Sequence, residues 1–299
     1  MDLFDKNVDA FLIYLDSQKN YSKLTIDSYK EDLKFFKDYL TIEHISFDDI
    51  TYNEIKNFYI YLESKKYSKN TISRHISALR SFYKYLAFNK KIKTNPFSLA
   101  TLPKKDKLLP KFLYYNELEE MFDAIDISTP LGKRNRCILE ILYATGLRVS
   151  ELVNIKLSDI NYNDMSIKVL GKGNKERIVY FGSYAKEYLD TYIKNGRNEF
   201  LKGKTSDYLF INNKGTNLST RSVEMIIKDI IKKTSIKSNI TPHTIRHTFA
   251  THLLNEGCDI LSVQELLGHE SLKATQVYTH ITNDELKNIY LNCHPRNRK

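Results

Sequence analysis

The chain has 299 residues, enough for two ordinary domains or one large one, each with a sizeable core. Hydrophobic residues at 41% and charged residues at 27% exclude a disordered chain, and no apolar run approaches the roughly 20 residues that span a bilayer. The formal charge of +10 divides evenly, with 18 Lys+Arg against 13 Asp+Glu over residues 1–105 and 28 against 23 beyond, so both halves admit a polyanionic partner without requiring one.

The opening segment, MDLFDKNVDA, is acidic and mixed, unlike a secretory signal or a transit peptide, so a cytoplasmic location is expected. The first third reads as helices. Ile26, Tyr29, Leu33, Phe36 and Leu40 recur at helical spacing behind Thr25 as N-cap. Thr51 and Glu54 make a capping-box pattern ahead of Ile55, Phe58 and Leu62. A third helix starts near Asn70, with Ile72, Ile76, Leu79, Tyr83 and Leu86 on one face. Arg74, Arg80 and Lys84 fall largely off that stripe, either as a solvated face or as phosphate contacts along a groove. Asn95-Pro96 stops the helix, and the basic, proline-bounded stretch 103–110 predicts an extended linker. The expected division is 1–104, a linker at 105–110, and 111–299.

Past the linker, Asn116-x-x-Glu119 predicts the cap of a helix containing Leu118, Met121 and Phe122. A helix over about 134–144 ends at Thr145-Gly146, with Gly146 as a left-handed cap and Arg148 immediately after. Residues 166–170 and 177–181 predict two strands of a hairpin whose tip carries Lys172 between Gly171 and Gly173. From Ser183 onward the pattern is helical, apart from a strand-like piece at 208–211. Thr241 and Pro242 start a helix that puts His243 and Arg246 on one face of its first turn. The fold class predicted is mainly α with a small antiparallel β-sheet.

Four pieces matter only in combination: Arg148, Lys172, His243-x-x-Arg246, and the stretch from His269 to Tyr278. Alone, each has an ordinary reading as a surface arginine, a turn lysine, a chance pair or a packing tyrosine. Together they suit a phosphodiester. Two guanidiniums neutralise charge growing on non-bridging oxygens, while His243 and His269 hydrogen-bond the same oxygens or move protons. A phenol of reference pKa about 10 needs such a cationic pocket to attack at neutral pH. A leaving 5′-oxygen needs a proton, which an ammonium such as that of Lys172 can deliver as general acid. No metal or other cofactor is required by this set, and Cys137, Cys258 and Cys293 read as free thiols.

The order Arg–Lys–His-x-x-Arg–His–Tyr, carried by ATGLRVSEL, GKGNKER, PHTIRHTFATHLL and LLGHESLKATQVYTH, resembles the tyrosine recombinases, most of all the Xer type. The likeness covers about residues 111–296, including His294-Pro295-Arg296, while the first third matches only in length and helical character. It implies a SAM-like helical core-binding domain followed by an α+β catalytic domain. Tyr278 is then the nucleophile, assisted by Arg148, Lys172, His243, Arg246 and His269. Glu151 matches an acidic position that orients neighbours, or is an ordinary helix glutamate. His247, His252 and His280 are taken as structural. The resemblance further implies double-stranded DNA as substrate, with the two domains on opposite faces of the duplex. It implies a cyclic tetramer on the recombination site, exchange through a 3′-phosphotyrosine and a Holliday junction, and chromosome-dimer resolution. A paralogous recombinase and a DNA translocase are further partners it suggests. The terminal helix at 284–291 suits docking on a neighbouring subunit or packing within its own. Other readings are an integrase or resolvase of a mobile element, disfavoured by the lack of an added arm-binding domain; a monomeric relaxing enzyme; and a non-cutting DNA-binding protein.

Overall fold

The computed structural model describes residues 2–103, 111–171, 175–268 and 282–297. They fall into two units, Met1–Leu108 and Leu109–Lys299.

Helices α1 (Leu3–Ser17), α2 (Lys23–Ile42), α3 (Tyr52–Ser64) and α4 (Lys69–Phe88) make the first unit. Each begins at a side chain that accepts a first-turn amide: Asp2, Ser22, Thr51 and Ser68. The cap of α2 is therefore Ser22, whose Oγ accepts the Thr25 amide at 3.3 Å, and not Thr25. Lys23 and Leu24 face solvent, so the first turn carries no apolar periodicity to announce it. The Thr51–Glu54 box is present, with the Thr51 amide donating to Glu54 Oε2 at 3.0 Å. The stripe of α4 buries Ile72, Ile76, Leu79, Tyr83 and Leu86 against an aromatic core that includes Phe11, Phe36 and Phe58. Phe36 and Phe58 meet edge to face with centroids 4.9 Å apart. A short 3-10 turn, Pro96–Leu99, is hooked back onto α4, because Arg80 donates from Nε to the Phe97 carbonyl at 3.1 Å and from its other arm to that of Ala100.

The second unit is built around α6 (Pro130–Thr145), which is buried nearly all round. Helix α5 (Tyr115–Asp123) precedes it and starts two residues before the expected position. Glu117 Oε2 accepts the Tyr114 amide at 2.9 Å, which leaves Asn116 inside the first turn. The one-turn α7 (Val149–Leu152) then leads into an antiparallel sheet ordered β1 (Ile160–Asn161), β2 (Ser166–Leu170), β3 (Glu176–Tyr180). In the β2–β3 ladder Ile167 faces Val179 and Val169 faces Arg177, which puts Ile167, Val169 and Val179 into the core by alternation.

Helices α8 (Ser183–Asn195), α9 (Arg197–Leu201), α10 (Thr220–Ile231), α11 (Pro242–Asn255), α12 (Ile260–Leu267) and α13 (Asn283–Cys293) complete the unit, with α8 and α11 against α6. Residues 208–211 are not a strand of the sheet. They make isolated bridges only, because buried Arg197 takes the carbonyls of Ser206, Tyr208 and Leu209 that a ladder would use. Helix α13 packs within its own unit, burying Leu286 and Tyr290 beside Phe249, Leu253 and Cys258. Beyond it, Arg296 donates to Glu140 at 2.8 Å and to Glu119 at 2.7 Å, tying the end of the chain to α6 and α5.

Candidate active site

Three described elements converge at the C-terminal end of α6. Gly146 stops that helix at φ +59°, a conformation that favours glycine, and packing adds a second requirement: a Cβ there would lie 2.5 Å from the Phe249 ring of α11 and 2.9 Å from Leu267 of α12. Arg246 closes the junction. It is 6% exposed, and its guanidinium donates to the Gly146 carbonyl at 2.6 Å and to the Leu267 carbonyl at 2.8 Å. Two backbone carbonyls from elements about 120 residues apart thus fix one cation, with donors of its five-proton fork left over. Burial first, and then repulsion from Arg148 and Arg177, pull its pKa down to about 10, which leaves it charged at neutral pH.

Arg148 caps α7, two residues past Gly146. Its amide donates to Glu151 Oε2 at 2.8 Å, and one side-chain nitrogen donates to Oε1 at 3.0 Å, while the side chain stays 39% exposed. Glu151 is buried and also receives Arg177 of β3 in a fork, at 2.7 Å on Oε1 and 2.8 Å on Oε2. Burial works to raise the Glu151 carboxyl, and the bonds from Arg177 and Arg148 outweigh it, holding the group below its ordinary range as a carboxylate.

Arg177 and Glu151 lie beneath two glycines. A Cβ on Gly268 would meet the Arg177 side chain at 2.8 Å, and one on Gly171 would sit 3.4 Å from Arg177 and 4.0 Å from Glu151. Lys172 and His269 follow these glycines in the chain, and they, with Tyr278, lie outside the described residues, as does His280.

Of the remaining residues singled out above, His243 stands exposed in the first turn of α11, which opens with the Thr241 cap as expected. Arg148, Glu151 and Arg246 are brought together. His252 is buried, joined to the Tyr143 hydroxyl at 2.8 Å and to the Leu113 carbonyl at 3.0 Å, and so serves packing, while His247 is half-buried. In the first unit Arg74 donates to Asp32 at 2.8 Å and to the Ser28 carbonyl at 3.1 Å, Arg80 holds the 3-10 turn, and Lys84 is exposed. Arg177 escaped the sequence reading as a site residue, although it left a signal. It occupies the inward register of a strand beside Val179, where a charge needs a buried partner.

The arrangement suits an anion: Arg148 and Arg246 present guanidinium donors around one junction, with the Glu151 carboxylate offsetting part of their charge. Among the described residues no cluster of His, Cys, Asp and Glu is arranged to hold a metal ion, and no described helix is long and apolar enough to cross a membrane.

Residues 111–285 match the sequence profile of the phage integrase family, and residues 8–90 match that of the phage integrase N-terminal SAM-like domain. The chain is 47% identical over 299 residues to the tyrosine recombinase XerC of Anoxybacillus flavithermus, covering 99% of this chain and 100% of that one. It is 50% identical over 292 residues to the tyrosine recombinase XerC of Bacillus licheniformis, covering 97% and 96%. Among solved structures it is similar to the XerH site-specific recombinase bound to palindromic difH substrate in a post-cleavage complex, with a TM-score of 0.69 and 26% identity over 91% of this chain and 81% of that one.

Proposed function

Since the chain belongs to the phage integrase family and is a Xer-type tyrosine recombinase, an enzyme that breaks and rejoins DNA, we propose that its nucleophile is Tyr278 and that Arg148, Lys172, His243, Arg246 and His269 complete the site. The observation that carries this reading is the guanidinium pair: Arg246 is pinned by the Gly146 and Leu267 carbonyls while the Arg148 guanidinium makes one hydrogen bond to Glu151 among the described residues and stays 39% exposed beside it.

In this reading the non-bridging oxygens of the scissile phosphate accept hydrogen bonds from Arg148 and Arg246, which favours the extra charge of a pentacovalent transition state. The Tyr278 oxygen forms a bond to phosphorus as the bond to the 5′-oxygen breaks. The phenol proton passes to an imidazole, and Lys172 gives the departing 5′-oxygen its proton. The phosphodiester bond is exchanged for a 3′-phosphotyrosyl ester, which a 5′-hydroxyl of the partner strand attacks to restore DNA and free the tyrosine. Two such exchanges pass through a Holliday junction, and Glu151 orients Arg148 throughout.

The biological role proposed is chromosome-dimer resolution in the cytoplasm, by a cyclic tetramer on DNA that includes this chain alone or with a paralogue, under a DNA translocase. Support comes from the names of the relatives and from the XerH complex with its substrate. A mobile-element integrase would share the site and differ in its DNA target. A non-cutting DNA-binding protein would use the guanidinium pair for phosphate contact alone and would form no covalent adduct with DNA.

The deciding experiment uses suicide duplexes, nicked on one strand and drawn from a genomic fragment library. Wild type is expected to form a covalent protein–DNA adduct on denaturing gels, and Tyr278→Phe none. An adduct with the phenylalanine variant removes Tyr278 from its role. Lys172→Ala is expected to slow cleavage of a normal 5′-oxygen and to regain speed on a 5′-bridging sulfur, a better leaving group. Equal losses on both substrates would end its part as general acid.

A further inference from the structure

We propose that Arg177 is a positioning residue that keeps Arg148 available to the phosphate by saturating Glu151, an inference that rests on the reading of Arg148 as a phosphate ligand. A carboxylate has about four acceptor positions, and those of Glu151 are filled. Oε1 takes Arg148 at 3.0 Å and Arg177 at 2.7 Å, while Oε2 takes the Arg148 amide and Arg177, each at 2.8 Å. Arg177 holds the two-pronged position, and the Arg148 guanidinium is left with a single prong. An arginine and a carboxylate alone prefer the paired fork, in which both bonds run parallel. Without Arg177, Glu151 would be free to draw Arg148 into that fork and turn its remaining donors away from substrate.

The seat of Arg177 supports the role. Its side chain is 17% exposed, so it is held in place and shielded where Arg148, at 39%, remains open. It reaches the site from the inward face of β3, opposite Val169, so the sheet sets its position independently of α7. Gly268 makes room for it, since a Cβ there would overlap its Cδ and Nε at 2.8 Å. Charge counts as well. Arg148, Arg177 and Arg246 against Glu151 leave the described pocket at +2, and loss of Arg177 would halve that while leaving Arg148 facing a carboxylate of its own.

The test separates competition for Glu151 from plain structural support. Single-turnover adduct formation is measured on the nicked genomic duplexes for wild type, Arg177→Gln, Glu151→Gln and the double variant, with DNA affinity and thermal unfolding measured on each. Arg177→Gln is expected to slow cleavage about 10- to 100-fold, the range that loss of a partner orienting a metal ligand costs at metal sites, with DNA affinity little changed. Adding Glu151→Gln removes the carboxylate that captures Arg148, so the double variant is expected to cleave faster than Arg177→Gln alone. A structural role predicts the reverse, a further loss on adding the second substitution. Should Arg177→Gln not fold, Arg177→Lys, which keeps the charge but offers one contact in place of the fork, carries the same comparison. Wild-type speed in the Arg177 variants, or a double variant slower than the single, overturns the inference. An Arg148→Ala variant that cleaves like wild type overturns instead the reading of Arg148 beneath it.

Discussion

At the scale of single residues, the buried imidazoles make the protein acid-sensitive in a way that can be signed. His294 is 1% exposed, with Nε2 donating to the Tyr143 carbonyl at 3.3 Å and Nδ1 accepting the Arg296 amide at 3.3 Å. Both nitrogens are therefore used by the neutral ring, and a second proton would have to displace the Arg296 amide. Burial, with repulsion from Arg296 and His252, pushes its pKa down to about 3. The unfolded ring takes its proton near pH 6.5, so below that pH the unfolded state binds the extra proton first. Stability from His294 is thus complete above about pH 6.5 and is lost as pH falls toward 3, by roughly 2 kcal/mol between pH 7 and pH 5. His252 is shifted the same way by burial, and so is His75 in the first unit. Urea unfolding at the two pH values isolates His294. His294→Gln is expected to begin less stable and to lose less on acidification, and parallel losses in both proteins would refute the assignment.

At the scale of elements, the junction under the site depends on how α6 ends. Gly146→Ala puts a side chain into left-handed backbone, at about 1–2 kcal/mol, and forces the Phe249 ring aside, at about 1–3 kcal/mol more. Gly257, also left-handed at φ +89° but with nothing within 4 Å of its would-be Cβ, separates the two effects. Gly257→Ala is expected to show the backbone cost alone and to cleave DNA normally. Gly146→Ala is expected to lose both stability and cleavage, because the Gly146 carbonyl anchors Arg246 and Arg148 follows two residues on. Equal melting and equal cleavage in the two variants would deny the packing role. This end of α6 was legible in the sequence, because a glycine after an apolar helix has few other uses. Helix starts were less legible. Ser22 and Tyr114 precede turns with no apolar stripe, so periodicity reports them late. The run 208–211 looked like a strand since its residue types cannot reveal that Arg197 claims the carbonyls of Tyr208 and Leu209. Within the site, Arg148, Glu151 and Arg246 were readable from motif order. Arg177 was not, since its partner lies 26 residues away in sequence and only the β2–β3 register turns it inward.

At the scale of the whole molecule, the charge distribution predicts how the chain binds its substrate. The apolar core of the first unit is drawn from residues 4–100 and the cores of the second from residues 113 onward, so each unit has the means to fold from its own sequence. Residues 1–105 and the remainder of the sequence are also each basic by the same +5. Were positive charge used by the catalytic unit alone, the excess in residues 1–105 would be idle, and the exposed Lys84 would be a solvated lysine, Arg74 and Arg80 being engaged within their own unit. If both units meet phosphates, every contact releases counterions, and binding weakens with salt at about 0.9 logarithmic units per contact for each tenfold rise in concentration. For 6 to 10 contacts the affinity falls roughly 10³- to 10⁵-fold between 50 and 200 mM salt. Fluorescence anisotropy with the full chain and with a fragment spanning 111–299, first checked by circular dichroism for a cooperative melt, compares the two cases. The full chain is expected to have the steeper dependence, and Lys84→Ala to reduce its slope by close to one contact while leaving sequence preference unchanged. A folded fragment that reproduces the whole slope would assign all phosphate binding to the catalytic unit and leave Lys84 a solvated lysine.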